Sequence, residues 1–426
     1  MTMPRLTLDR RRLLGGAAMA SAGLALGAPN LLRAAEIDTS DLAPITGNVA
    51  PIGRDERAAR IARARALMVA NNIDAIVVEP GASLVYFTGI RWWRSERLTA
   101  VVIPASGDPV IVTPFFERPS VAESLGIAAD IRTWNEDESP TRLVGDILTE
   151  QGLAKGRIGI EETVRFFAAD GLAHALPHAS LVAAAPVVRG VRMRKTAAEI
   201  ALMQAATDVT IAAYRWTAPR IAEGMSNHDI SAMMDAATRA LGGSPEFSLI
   251  LLGEASAYPH GSGQPQVVRN GEIVLMDCGC TVEDYQSDVS RTFVFGGDPN
   301  AQQRKVWNEV ARGQQVARAA AKLGAPAGSV DDAVRGYYES LGYGPRYALP
   351  GLSHRTGHGI GMEGHEPVNL VHGETTPLDV GMCFSNEPGL YFPGKFGVRL
   401  EDCFHMTETG PQWFSTPPKD ILAPFA

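Results

Sequence analysis

The spacing of apolar positions changes several times along the chain, and the changes divide it into two α/β regions. Over residues 53–71, Ala, Arg and Met are placed for one apolar helical face, and Ile73-Asp74-Ala75-Ile76-Val77-Val78 then reads as a strand. Val101 to Pro104 and Val110 to Val112 are short apolar strands around a Ser106-Gly107-Asp108 turn, and Arg157 to Ile160 is a further strand before a helix over 162–173. A basic linker, Arg189 to Lys195, follows. Thr196 with Glu199 then forms a capping box that opens a helix reaching about residue 217, and another helix covers 226–240. Strands are expected over 247–251, 272–277, 290–295, 381–386 and 398–404, with helices over 301–322 and 328–340 dividing them into two halves.

The length of 426 residues amounts to about 2.8 domain-sized units. Hydrophobic residues at 45% and charged residues at 20% describe a folded chain and exclude wholesale disorder, coiled coil and collagen. The expected division is a leader over 1–35, an α/β domain over 36–188 and a larger α/β (α+β) domain over 189–426.

The leader changes the charge picture. The whole chain carries 39 basic and 47 acidic side chains, a net charge of −8. Residues 1–35 contribute Arg5, Arg10, Arg11, Arg12 and Arg33 against Asp9 alone, so the remainder stands at −12. Asp9-Arg10-Arg11-Arg12-Leu13-Leu14 resembles a twin-arginine export motif, followed by a weakly apolar Ala/Gly-rich run to Ala28 and small residues at Ala34 and Ala35. The expectation is export by that route to the periplasm, with no stable membrane insertion, since no apolar run is long enough to span. An acidic mature chain without a basic aromatic stripe argues against nucleic acid as a partner. Four cysteines, Cys278, Cys280, Cys383 and Cys403, are too few for a disulfide scaffold; buried thiols are expected, with a Cys383–Cys403 bridge open if their segments pair.

Candidate chemistry collects at Asp277, Asp288, His358, Glu387 and Glu401. Acidic side chains avoid burial unless they are paired or metal-bound, yet Asp277 ends an apolar strand, Asp288 precedes one and Glu401 follows Val398-Arg399-Leu400. Four carboxylates and one imidazole supply oxygen-rich ligation and enough negative charge for two divalent cations. Such a pair can hold a hydroxide and polarise a carbonyl, the two forms of help that amide hydrolysis needs. The glycines around His358 read as permitting close backbone approach, since the chain has neither a Walker arrangement nor a Rossmann fingerprint.

Five blocks in order carry a resemblance: Tyr258-Pro259-His260-Gly261; Met276-Asp277-Cys278-Gly279 with Ser287-Asp288-Val289-Ser290-Arg291-Thr292; Gly357-His358-Gly359-Ile360-Gly361 with His365-Glu366-Pro367; Asn386-Glu387-Pro388-Gly389; and Val398-Arg399-Leu400-Glu401-Asp402. The chain resembles the metal-dependent members of the creatinase, aminopeptidase P, prolidase and methionine aminopeptidase superfamily (metallopeptidase family M24). The resemblance implies a creatinase-like amino-terminal domain followed by a catalytic domain of the pita-bread fold. It implies that Asp277 binds one metal through both oxygens, that Asp288 and Glu401 bridge the pair, and that His358 and Glu387 complete the second site. Glu387 is then also the proton shuttle, and His260, His354 and His365 serve substrate binding or transition-state stabilisation. Arg399, two residues before Glu401, orients the carboxylates or compensates their charge.

Retention of all five ligands favours a metal enzyme over the metal-free creatinase type, and the added amino-terminal domain favours Xaa-Pro aminopeptidase or dipeptidase over methionine aminopeptidase. The implied reaction is cleavage before proline, in short peptides or Xaa-Pro dipeptides, by a metal-bridging hydroxide. Mn2+ is the expected metal, with Co2+ or Zn2+ also suited, and a homodimer or higher homo-oligomer is implied. Alternatives are a hydrolase of another small amide or cyclic amidine, similar to ectoine hydrolase or creatinase, and an inactive pita-bread binding protein. The patch Phe87-Thr88-Gly89-Ile90-Arg91-Trp92-Trp93, with Arg94 and Arg97, is read either as completing the pocket, directly or across a subunit interface, or as domain-interface core.

Overall fold

A computed structural model of the protein describes residues 37–425, so the leader expected over 1–35 lies outside the described residues. The amino-terminal region runs α1 (Arg54–Ala70), β1 (Ala75–Val78), α2 (Ala82–Thr88), β2 (Ala100–Pro104), β3 (Val110–Pro114), α3 (Arg118–Glu123), β4 (Asp130–Trp134), α4 (Pro140–Glu150), β5 (Arg157–Ile160), α5 (Phe166–Ala175), β6 (Ser180–Ala183) and α6 (Ala185–Arg192). Its six strands form one mixed sheet in the order β4-β3-β2-β1-β5-β6, antiparallel at β1–β2 and β2–β3 and parallel elsewhere. The central strands are apolar throughout because both faces are covered. Ile76, Val78, Val101 and Ile103 pack with α1, α2 and α6, while Ala75, Val77, Ala100 and Val102 pack with α4 and α5.

The second region runs α7 (Ala197–Thr217), α8 (Asn227–Ala240), β7 (Ser244–Leu252), β8 (Ile273–Val282), β9 (Tyr285–Gln286), β10 (Val289–Val294), α9 (Ala301–Ala320), α10 (Gly328–Ser340), β11 (Gly357–Gly359), β12 (Glu366–Leu370), β13 (Cys383–Phe384), β14 (Gly389–Phe392), β15 (Phe396–Arg399), β16 (Phe404–Thr407) and β17 (Gly410–Trp413). One sheet is ordered β10-β8-β7 with β9 on β8, a second β12-β11-β13-β16-β17, and β14 pairs with β15. Trp307 and Val310 of α9, with Val330 and Val334 of α10, bury their faces against Phe384, Leu390, Val398 and Phe404. The fold class is therefore the expected one, an α/β domain followed by helices backing antiparallel sheets.

Details differ from the sequence expectations for physical reasons. The boundary expected at 188/189 falls inside α6, whose last turn includes Arg189 because Val187, Val188 and Val191 are buried against the first sheet. The helix expected over 162–173 begins at Phe166, since Glu161 folds back to accept from the backbone N–H and hydroxyl of Thr163. Asp277 lies in the middle of β8 rather than at its end. The strand expected over 398–404 is two strands, β15 and β16, interrupted where Asn386 and Asp402 exchange backbone hydrogen bonds. All four cysteines are free and buried: Cys383 sits opposite His405 in the β13–β16 pair, and the Cys403 thiol turns to the carbonyl of Asp288. No helix among the described residues is long and apolar enough to cross a membrane.

Candidate metal centre

The acidic side chains converge because the two sheets and the β14–β15 pair meet around one cavity of about 960 Å³. Its lining includes Asp277, Asp288, His358, Glu387, Arg399 and Glu401, together with His260, His354 and His365. Every residue singled out from the sequence as ligand, catalytic or supporting thus faces the same space.

Asp288 precedes β10, and His358 is the middle residue of β11, flanked by Gly357 and Gly359. A Cβ at Gly357 would stand 2.1 Å from the carbonyl oxygen of Ser385, and one at Gly359 would stand 2.5 Å from that of Glu366. Glycine is required there so that His358 can enter a crowded interior. His358 Nδ1 lies 3.1 Å from the carbonyl oxygen of Gly359, and its N–H donating there leaves Nε2 with a lone pair. That Nε2 lies 3.7 Å from Asp288 Oδ2 and 3.5 Å from Glu387 Oε1.

Asp288, His358 and Glu401 each place one ligand atom within 4.8 Å of the others, and all three are buried. Among the described residues, Asp288 Oδ1 and Glu401 Oε1 are buried oxygens with no hydrogen-bond partner. Burial pushes both carboxyls well above their ordinary range, and the neighbouring carboxylates push them in the same direction. Burial raises Glu387 to about 8, with Arg399 opposing and Asp277 adding to the rise. Two buried carboxylates, each with one unpartnered oxygen, beside an imidazole nitrogen carrying a lone pair, form a donor set that fits a hard divalent cation.

Asp277 is held differently. Arg399 forms an ion pair with its Oδ2, and Ser290 Oγ lies 2.8 Å from its Oδ1. Ser290 faces Asp277 across the β8–β10 ladder, and the same hydroxyl is 2.8 Å from Glu401 Oε2. Arg399 also donates from Nε to Ser290 Oγ at 2.9 Å and from Nη1 to the carbonyl of Pro259 at 3.0 Å, which ties the His260 loop to the carboxylates. The geometry thus brings Asp288, His358 and Glu401 into one triad, with Glu387 beside His358 and Asp277 linked to the group through Ser290 and Arg399.

The remaining histidines sit around this group. His354 Nε2 lies 2.8 Å from the Tyr391 hydroxyl, and burial, reinforced by Arg399, lowers its pKa to about 3. Burial and then Arg355 lower His365, whose ring packs edge-on against His358 with centroids 4.1 Å apart. His260 is exposed on the cavity wall.

Three contributors escaped the sequence reading. Ser290 lies inside a quoted block but is an ordinary strand serine by type. Tyr391 lies in an apolar strand, with nothing to mark its hydroxyl. Arg355, half-buried next to His354, lines the cavity and has no ion-pair partner among the described residues; the signal available for it was its place between two site residues. The aromatic patch lies outside the lining of this cavity: Trp92 and Trp93 stack with centroids 4.5 Å apart, Trp92 Nε1 donates to Glu117, and Trp93 is 66% exposed.

Comparison with known proteins agrees with this geometry. Residues 201–408 match the model of metallopeptidase family M24, and residues 60–194 match the creatinase/prolidase N-terminal domain. The chain is 31% identical over 379 residues to an uncharacterised peptidase of Schizosaccharomyces pombe, covering 84% of this chain and 81% of that one. It is 30% identical over 362 residues to an Xaa-Pro dipeptidase of Lactobacillus helveticus, covering 83% and 96%. The crystal structure of dipeptidase PepE from Mycobacterium ulcerans superposes with a TM-score of 0.80 at 32% identity, over 87% of this chain and 98% of that one. The fold and site define a pita-bread hydrolase with a creatinase-like amino-terminal domain. The chain belongs to metallopeptidase family M24.

Proposed function

We propose that the protein hydrolyses the bond before proline in short peptides, with Xaa-Pro dipeptides as its preferred substrates, using two divalent cations, Mn2+ first among Mn2+, Co2+ and Zn2+. The observation that carries this reading is the buried triad Asp288, His358 and Glu401 with its unpartnered oxygens, opening on a cavity that also holds Arg355. Its similarity to proteins named dipeptidase adds support.

Asp288, Glu401, His358 and Glu387 would hold the cations, with Asp277 presented by Ser290 and Arg399. Bound there, the metals would supply an activated water and polarise the scissile carbonyl. Glu387 is placed to receive a proton and return it to the leaving nitrogen. His365, kept neutral, can donate a hydrogen bond to the carbonyl oxygen as charge develops on it, while His354, whose Nδ1–H donates to the carbonyl of Arg355, accepts from Tyr391 and holds that hydroxyl at the site. Arg355 provides a cation for the free carboxylate of a dipeptide, a group that a longer peptide carries further from the scissile bond.

The reading extends to export through the twin-arginine route to the periplasm, supported by Arg10-Arg11-Arg12 and the Ala/Gly-rich run behind it. It also includes self-association, supported by Trp93, Phe115 and Phe116, exposed by 66%, 63% and 59%. The division into two domains belongs to the same reading, with the junction after α6 rather than at 188/189.

The decisive assay is turnover by metal-reconstituted protein of matched Xaa-Pro dipeptides, Xaa-Pro tripeptides and non-proline controls. Faster cleavage of dipeptides is expected. Absence of turnover on every peptide with Mn2+, Co2+ and Zn2+ would overturn the assignment and move it to a small amide or cyclic amidine.

A further inference from the structure

The residue after His365 is a carboxylate sealed inside the protein. Glu366 is 4% exposed and accepts four hydrogen bonds. Two come from its own loop, the backbone N–H groups of Met362 at 3.0 Å and Glu363 at 3.2 Å, both to Oε1. The other two come from the segment joining the two regions: Arg192 Nη2 at 2.5 Å to Oε1 and Lys195 Nζ at 2.9 Å to Oε2. Lys195 lies between α6 and α7 and has only 2% of its side chain exposed.

The same two cations reach in both directions. Arg192 also donates from Nη1 to Ser83 of α2 at 2.9 Å and from Nη2 to Glu363 at 2.8 Å. The backbone N–H of Lys195 donates to the carbonyl of Gly381, just before β13. The loop closes tightly over this cluster: a Cβ at Gly361 would stand 2.7 Å from Lys195 Cε and 2.8 Å from Glu366 Oε2. Glu366 opens β12, which pairs with the strand carrying His358, and the His365 ring rests on the His358 ring. The loop that presents His365 is thus fastened at its base to the connection between the domains.

A buried ammonium and carboxylate are costly to desolvate, and well-packed apolar residues often serve stability equally well. Their retention here calls for a reason other than stability, and placement of a neighbouring group is the one the geometry offers. We infer that Glu366 is a positioning residue for His365, and that Lys195 and Arg192 let the interdomain connection set where that imidazole stands over the substrate. Burial raises the Glu366 carboxyl, but Arg192 and then Lys195 more than offset this and hold it at about 2, so the clamp stays charged across the working range.

The inference rests on the hydrolase reading for its kinetic arm alone. E366Q removes the charge between two cations and risks misfolding, so the test uses K195M, which keeps the stem in place and leaves Arg192 on Glu366. Full-length protein is compared as wild type, K195M, H365A and the double variant on an Xaa-Pro dipeptide. K195M is expected to lower kcat about tenfold with KM changed less than twofold, and to have no further effect in the H365A background. Equal loss in both backgrounds, or wild-type kinetics for K195M, would overturn the inference. A second readout needs no substrate: in metal-free, histidine-labelled protein, the His365 ring resonance, assigned by its loss in H365A, should shift in K195M while those of exposed His174 and His178 stay fixed. An unmoved His365 signal overturns the inference even where peptides are cleaved. Absence of peptide cleavage, with the signal shifted, overturns the substrate assignment and leaves the clamp standing.

Discussion

Ser290 Oγ stands 2.8 Å from Glu401 Oε2, and on its other side the same hydroxyl lies 2.8 Å from Asp277 Oδ1. With one hydrogen to give, it serves a single carboxylate at a time while accepting from Arg399. It therefore sets the spacing of the Asp277 and Glu401 carboxylates. S290A should leave the fold intact and weaken cation binding by about 10- to 100-fold, the usual cost of removing such a support. Titration calorimetry with Mn2+ checks this, and unchanged affinity would remove Ser290 from the account.

In the proposed two-cation reading, Asp288 and Glu401 would each be shared by both ions. D288A or E401A should reduce the metal content from two ions per chain to at most one. Elemental analysis after reconstitution decides the matter, since a variant that keeps two fully occupied sites would contradict bridging.

The metal-free protein should grow less stable as pH rises. Burial lifts Asp288, Glu401 and Glu387 above their unfolded values, Glu387 from 4.5 to about 8. A raised carboxyl binds more protons folded than unfolded, so its contribution is fully present below the unfolded pKa and is lost as pH rises through the folded one. For Glu387 the window runs from about pH 4.5 to about pH 8. Melting of chelator-treated protein across that window should show Tm falling, and added Mn2+ should remove the slope. Cation uptake near pH 6 should release protons, measurable in buffers of differing ionisation enthalpy.

Arg355 lines the cavity and has no ion-pair partner among the described residues, which is why it is proposed to receive a substrate carboxylate. A charge-assisted hydrogen bond contributes about 1.5–3 kcal/mol, so R355Q should raise KM for Xaa-Pro dipeptides about ten- to a hundredfold. Tripeptides should be affected less. Equal losses on both lengths would place Arg355 outside carboxylate recognition.

Gly357 has no room for a side chain, with the Ser385 carbonyl oxygen 2.1 Å from where a Cβ would sit. G357A forces β11 away from that segment at a cost of about 1–3 kcal/mol and displaces His358. Both a lower Tm and a weaker cation affinity are expected; loss of stability with unchanged affinity would separate the strand from the site.

The helices and their caps were legible because their signals are local. The Thr196–Glu199 box is present in both directions, with Glu199 accepting from the Thr196 backbone at 2.8 Å. The positions of Asp277, Asp288, His358, Glu387 and Glu401 were legible as a set through the ordered blocks, and all five line one cavity. Their backbone settings were less so. Glu401 reads as a strand residue because Phe396–Arg399 is apolar and extended up to it, yet the chain leaves the strand to pair Asp402 with Asn386. That pairing is a tertiary event between distant segments, which local periodicity cannot report. The same holds for Lys195 and Arg192, which read as a basic linker and are drawn inward by Glu366, 171 and 174 residues away in sequence.

The hydrogen bonds between Asn386 and Asp402 also order events in time. The triad draws on residues 288, 358 and 401 of a 426-residue chain, and the amide of Glu401 reaches its place by donating to the carbonyl of Ser290. During synthesis the amino-terminal sheet and the β7–β8–β10 sheet can close from contacts already made, whereas the triad awaits the later segment that carries Glu401. Contacts so distant in sequence form late because their loops must close first. A nascent chain therefore carries Asp277 and Asp288 through synthesis of the whole stretch up to Glu401 without the partners that complete the candidate cation site.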